Sequence, residues 1–240
     1  MSNNIYITTK KVFENNLWGD SESRSGPGSN LQNTAEIRIR IPELLKKYNI
    51  RLLIDAPCGD FNWMKNISKE LNEILDNYLG IDIVDEVIDL NNKYYATDKI
   101  KFVKADLTKD ALPEYDCVIC RDLFLHLSYS NILKVLSNFK KSGIKYMLIS
   151  TYTKPRKNFN VLNFYINGRA LNMQKHPFFL PNPFDIINEK YEGQNGEYND
   201  KSLALWKLNN INSLQIKFVI ILSFPYFYLK LVLKKLFKNR

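Results

Sequence analysis

The chain has 240 residues, 45% of them apolar, with 14 Tyr and 14 Phe. That is material for one domain with a sizeable core, and it excludes a disordered or fibrous protein. The net charge of +9 suggests nucleic acid, but it is unevenly placed: after Asp200 come Lys201, Lys207, Lys217, Lys230, Lys234, Lys235, Lys238 and Arg240 with no acid, so the body is near neutral. A near-neutral body argues against a general nucleic-acid binder.

Residues 1–20 are polar and show no secretory signal, and Cys58, Cys117 and Cys120 fit a reducing, cytoplasmic setting. Residues 1–35 carry few helix or strand signals until Thr34. The stretch from Leu17 to Ser29 is rich in Gly, Ser and polar groups around Trp18. It reads either as a flexible leader or, because a large aromatic is rarely left in a free linker, as a lid over a pocket. In the second case its Ser and Gly N–H groups and Arg24 would meet an anion or a carboxylate.

Ala35 to Tyr48 predicts a helix, with Ile37, Ile41, Leu44 and Leu45 on one face and Pro42 expected to kink or restart it. Leu52-Leu53-Ile54 predicts a buried strand ending at Asp55, followed by the tight loop Ala56-Pro57-Cys58-Gly59-Asp60 and a helix opening at Phe61 and running over Trp63 to Leu75. Tyr78 to Asp82 predicts a second strand. Asp82 stands 23 residues after Gly59, close to the spacing at which nucleotide folds place a ribose-binding acid. A helix from Glu86, a strand at Lys101 to Val103, a strand at Cys117 to Cys120, a helix at Ser130 to Phe139 capped by Ser128 or Ser130, and a strand at Lys145 to Thr151 follow. Cys117 and Cys120, three apart on a strand, would point to opposite faces and read as structural thiols rather than a metal pair. Repeated βα steps imply a doubly wound parallel sheet, whose ligands bind outside the carboxyl ends of its strands. Asp55, Asp82, Asp106 and the pair Arg121-Asp122 all fall at such ends.

The single glycine of the first loop and the acid Asp60 beside it disfavour a dinucleotide, whose diphosphate needs a glycine-rich turn. The same acids suit S-adenosyl-L-methionine, which carries a sulfonium, an ammonium and ribose hydroxyls but no phosphate. Asp55 and Asp60 would meet its amino-acid end, Asp82 its ribose, and Asp106 beside Leu107 its adenine amine.

DAPCGDFNWM at 55–64, YLGIDIV at 78–84, ADL at 105–107 and DCVICRDLFLHLS at 116–128 resemble the successive motifs of class I S-adenosylmethionine-dependent methyltransferases. WGDSESRSGPGS at 18–29, GRALNMQKHPFFLPNPF at 168–184 and KSLALWKL at 201–208 resemble, within that family, a bacterial subgroup tied to small-molecule methylation and surface-glycan synthesis. The resemblance spans residues 10–208 and departs from the broad family where its glycine-rich loop is reduced to Gly59. It implies a mostly parallel seven-stranded Rossmann-like sheet with a final antiparallel strand at Ser202 to Leu208. It also implies cofactor contacts at Trp18, Ser29, Cys58, Gly59, Trp63, Ile83, Leu107 and Arg121, and acceptor contacts at Arg24, Phe61, Tyr152, Arg169 and Asn172.

Methyl transfer to an alcohol needs the oxygen held in line with the methyl and its proton taken up. His126 lies four residues after Asp122, so a helical turn would let the carboxylate orient the imidazole. His176, in the Pro-Phe-rich stretch after the fifth strand, is the second candidate base, and Arg121 is expected to bind an acceptor anion or the cofactor carboxylate. The reading is an O-methyltransferase of a sugar or nucleotide-linked glycan precursor. N-methylation of a metabolite, an RNA or protein acceptor, and a non-catalytic cofactor-binding scaffold stay open. The domain plan is a lid at 1–35, a methyltransferase domain at 36–210 and an apolar, basic tail at 211–240. In that tail a helix with Lys230, Lys234 and Lys238 on one face would lie on an anionic membrane or dock on the domain or a second subunit.

Overall fold

In a computed structural model residues 2–212 are described, apart from 163, 194 and 195, together with Ile216. The expected tail helix, from Pro225 on in the tail at 211–240, lies outside these residues; of that tail only 211, 212 and 216 are described, and Ile216 is buried in the core. The strands are β1 (Leu52–Asp55), β2 (Asn77–Asp82), β3 (Ile100–Lys104), β4 (Cys117–Cys120), β5 (Tyr146–Tyr152), β6 (Asp185–Asn188) and β7 (Lys201–Lys207). They form one seven-stranded sheet in the order β3-β2-β1-β4-β5-β7-β6. Strands β1 to β5 pair in parallel, and β7 runs antiparallel to both β5 and β6. This is the expected Rossmann-like methyltransferase sheet. The order reverses at β1 and β4, so the switch point, and with it the binding crevice, lies at the carboxyl ends of those two strands.

Strands β1, β2, β4 and β5 are short, mostly apolar and buried on both faces, because helices cover both sides, whereas the edge strand β3 alternates buried and exposed residues. One layer packs Ile54, Leu79, Val118, Met147 and Ile149 against α5 (Tyr129–Lys141). The other packs Leu53, Tyr78, Cys117, Ile119 and Leu148 against α2 (Ala35–Lys47) and α3 (Ser68–Ile74). Cys117 and Cys120 fall in opposite layers and are free, buried thiols. Helix α4 (Asp85–Tyr95) follows β2. At the amino edge, Asp116 accepts from the Arg51 and Leu52 backbone N–H groups, both at 3.0 Å, and fixes where β1 begins.

Three expectations change. Residues 2–14 are not irregular but form α1 (Ser2–Glu14). Its Asn and β-branched residues are weak helix formers, and it is held from outside: the Tyr6 hydroxyl donates to Asp85 at 2.9 Å, Lys10 pairs with Glu86, and Val12 is fully buried. Helix α2 runs through Pro42 without a break. The helix expected from Phe61 starts later, as a 3-10 turn at Met64–Ile67 leading into α3, because Gly59 and Phe61 take positive φ of 52° and 57°. Among the described residues no helix is long and apolar enough to cross a membrane.

Gly80, in the middle of β2, shows why a strand tolerates a glycine there. A Cβ would lie 2.4 Å from the Phe102 ring and 3.2 Å from the Cys58 Cβ, and Phe102 in turn packs edge-on against Phe61. Gly80→Ala should therefore lower stability by about 1–3 kcal/mol through overpacking. Urea denaturation checks this, and the double variant Gly80→Ala/Phe102→Leu should recover part of the loss.

Candidate active site

The carboxyl ends of β1 and β2 and the second residue after β3 bring three acids to one cleft. Asp55 is 3% exposed, accepts from the Tyr78 hydroxyl at 2.6 Å, and is pushed up to about 7 by burial. Asp82 accepts from the Gly59 and Val84 N–H groups at 3.2 and 3.0 Å and is pushed up to about 6, again by burial. In Asp106, Oδ1 takes the Thr108 N–H and hydroxyl at 2.9 and 2.6 Å. Its Oδ2 is buried with no hydrogen-bond partner, and Lys109 stands 3.6 Å away. Among the described residues Asp55 and Asp82 have no cation within ion-pair distance. Buried anions in that condition favour a bound cation or a donor, and otherwise a proton.

Asp60 plays a different part from the one the sequence suggested. Its carboxylate accepts from the Ser23 hydroxyl at 3.0 and 2.9 Å, the Arg24 N–H at 2.8 Å and the Ser25 hydroxyl at 3.1 Å. The backbone N–H of Asp60 returns a bond to the Ser25 oxygen at 3.0 Å. The acid is thus spent on the chain's own residues 23–25, which it draws across the cleft. The loop N–H groups are likewise taken, Gly59 by Asp82 and Asp60 by Ser25, so no helix start opens here. A Cβ on Gly59 would stand 2.3 Å from the Ser25 oxygen; glycine is needed for both its positive φ and this approach.

At the end of β4 a buried ion cluster supports the floor. Arg121 donates to Glu189 at 2.6 Å and to the Gly28 carbonyl at 2.7 Å. Lys201 meets Asp122 at 2.5 Å and Glu189 at 3.3 Å, and the Ser150 hydroxyl donates to Asp122 at 3.0 Å. Burial pushes Asp122 up, but Lys201 and Arg121 outweigh it and hold the carboxyl well below its ordinary range. Arg121 lines the cleft and pairs with Glu189 through one arm, while its buried Nε has no hydrogen-bond partner. Glu189, Lys201 and Ser150 were not singled out in the sequence, since their partners are remote in the chain: Ser150 lies on β5, Lys201 on β7 and Glu189 just after β6.

The Asp122–His126 pair expected from helical spacing does not form. Asp122 has φ +58°, and only a short 3-10 turn, Phe124–His126, follows. His126 instead sets Nδ1 2.7 Å from the Tyr165 carbonyl. A carbonyl only accepts, so Nδ1 carries the proton and Nε2 the lone pair. The ring stacks on Phe164 at 4.9 Å and meets Trp18 at 5.5 Å on the cleft wall. Burial pushes its pKa down to about 4, so the imidazole is neutral near pH 7.

Trp18, Ser29, Cys58, Gly59, Trp63, Ile83, Leu107 and Arg24 all line the same cleft. Other expected site residues do not. His176 is exposed and away from the cleft. Phe61 is core, between Tyr78, Tyr95 and Phe102. Tyr152 is buried against Tyr198 and Arg156. Arg169 donates to the Phe159, Leu125 and Leu127 carbonyls. Asn172 is buried and exchanges bonds with Asn158. None of these five lines the cleft. No His/Cys/Asp/Glu cluster that would hold a metal occurs among the described residues.

Residues 55–143 match the family model of a methyltransferase domain. The cofactor is S-adenosyl-L-methionine. The matched segment holds the three rim acids, Asp122 and His126. Among solved structures, phosphoethanolamine N-methyltransferase 1 of Haemonchus contortus, in complex with phosphoethanolamine and S-adenosylhomocysteine, superposes with a TM-score of 0.58 at 13% identity; the match covers 86% of this chain and 49% of that one. The N-methyltransferase NodS of Bradyrhizobium japonicum WM9 superposes at 0.53 with 11% identity, covering 75% and 98%. No curated protein sequence matches the chain.

The methyltransferase cleft suits that cofactor on its own chemistry. The orphaned Asp106 oxygen lacks a donor, and Asp55 and Asp82 lack a cation. Because both carboxyls are protonated more readily here than in the unfolded chain, their share of stability is present at low pH and is lost as pH rises through about 6 to 7. Cofactor binding reverses the preference, so affinity for S-adenosyl-L-methionine should rise with pH across the same window, with protons released on binding. Calorimetry in buffers of different ionisation enthalpy checks this, and Asp55→Asn should flatten the dependence.

Proposed function

We propose that this methyltransferase domain moves a methyl group from S-adenosyl-L-methionine to a hydroxyl of a small acceptor, a sugar or a nucleotide-linked glycan precursor. The observation that carries the hydroxyl reading is His126, a neutral imidazole whose tautomer is fixed by the Tyr165 carbonyl and whose Nε2 lone pair is left for an acceptor proton. When bound, S-adenosyl-L-methionine supplies a methyl carbon activated by the sulfonium. Asp55 and Asp82 hold the positive, hydroxylated part of that molecule and Asp106 its amine. Trp18, Ser29, Cys58, Gly59, Trp63, Ile83 and Leu107 enclose it.

His126 accepts the acceptor's hydroxyl proton at Nε2 as the oxygen attacks. Phe164 stacked on the imidazole and Trp18 tilted against it hold its plane and limit water at the ring. Arg24 makes no ion pair among the described residues. Its guanidinium lies 5.6 Å from the Phe13 ring at the cleft wall, placed for a phosphate or carboxylate on the acceptor.

A screen for S-adenosylhomocysteine release should turn over nucleotide sugars or related hydroxyl acceptors and not simple amines; turnover of amines alone would overturn the hydroxyl reading. His126→Ala should lower kcat by about 10²–10⁴ with cofactor affinity unchanged. Arg24→Ala should raise KM for a phosphorylated acceptor about tenfold and leave kcat nearly as it was, which steady-state kinetics reads directly.

A further inference from the structure

Three successive backbone carbonyls, those of Leu125, His126 and Leu127, are all taken by one short stretch of chain. Arg169 donates from Nη1 to Leu125 at 2.8 Å and from Nη2 to Leu127 at 2.5 Å, while the Tyr165 N–H donates to His126 at 2.9 Å. The Tyr165 carbonyl accepts from the His126 ring, and Phe164 stacks on it with the rings 10° from parallel. Gly168, at φ +66°, lets this stretch close down, since a Cβ there would lie 2.5 Å from the Leu125 side chain. The third arm of Arg169, Nε, donates to the Phe159 carbonyl at 2.9 Å.

Arg169 is 6% exposed and pairs with no carboxylate among the described residues. A buried guanidinium satisfied by neutral carbonyls is an expensive way to fasten a loop. What only a planar, forked cation provides is a pair of N–H groups spread widely enough to reach the carbonyls on both sides of residue 126.

We infer that Phe164 to Arg169 is a clamp that sets the orientation and tautomer of the His126 imidazole, with Arg169 as its positioning residue. The inference rests on the reading of His126 as the base, but it has an independent readout. The charged groups facing the imidazole are Asp122, which favours its charged form, and Arg169 and Lys201, which disfavour it; burial is the larger cause of its low pKa. Losing the Arg169 charge therefore raises the His126 pKa, and losing the fork frees the ring.

The chain has only two histidines, so His176→Ala leaves one set of imidazole signals for nuclear magnetic resonance. In that background His126 should show a protonated Nδ1 and titrate near pH 4. Arg169→Met should move the titration upward. Arg169→Lys keeps the charge but reaches at most one carbonyl; it should leave the titration low, mix the two tautomers and cut kcat at least about tenfold with cofactor affinity intact. If Arg169→Met does not fold, Arg169→Lys decides the matter. An unchanged tautomer and titration in the folded variants, with only the melting temperature reduced, would reduce Arg169 to scaffold and overturn the clamp. A shifted tautomer with full turnover, in these variants and in His126→Ala alike, would uphold the clamp and remove His126 as the base.

Discussion

Burying Asp55 and Asp82 at the carboxyl edge with no ion-pair partner among the described residues is the constraint on which the rest of the site depends. Arg121, whose charge acts on Asp55, is itself paired with Glu189 at 2.6 Å. The fold meets the charge in part through the Tyr78 hydroxyl on Asp55 and two backbone N–H groups on Asp82, and in part by letting both carboxyls hold protons more tightly. Those devices leave a site that discriminates by sign. A diphosphate would face the rim acids and find the loop N–H groups already bonded, whereas a sulfonium compound completes what the rim lacks.

A second set of interactions joins the two ends of the cleft. Asp60 gathers Ser23, Arg24 and Ser25, and the same stretch of chain carries Trp18, which is tied to the Ile166 carbonyl and packs on His126. Gly28, further along the same stretch, gives its carbonyl to Arg121. The loop after β1, the end of β4 and the segment bearing Tyr165 therefore share one N-terminal connector. Displacing it would disturb the cofactor edge and the imidazole together.

The sheet was legible because its strands are short apolar runs closed by acids, and because β4 and its two thiols keep strict alternation. Helix α1 was not legible, since its sequence favours helix weakly and the contacts that fix it come from Asp85 and Glu86, far along the chain. Strand β6 was missed for a like reason: Asp185–Asn188 is four residues long and takes its identity from pairing with β7. In the site, the acid row could be read from strand ends alone. The Asp122–His126 pair could not, because helical spacing says nothing once Asp122 adopts a positive φ. Asp60 was given the right chemistry and the wrong partner: it does bind donors, but they are the chain's own Ser23, Arg24 and Ser25. Arg169 and Asn172 look like surface recognition groups in sequence and prove to be buried fasteners, a distinction that only burial reveals.

The central claim is that the rim selects a positively charged, phosphate-free adenosine compound. Parallel calorimetric titrations of the full chain with S-adenosyl-L-methionine and with NADH at pH 8 test it most directly. The account predicts saturable binding of the first and none of the second; tight binding of NADH, or no heat from S-adenosyl-L-methionine, would contradict it.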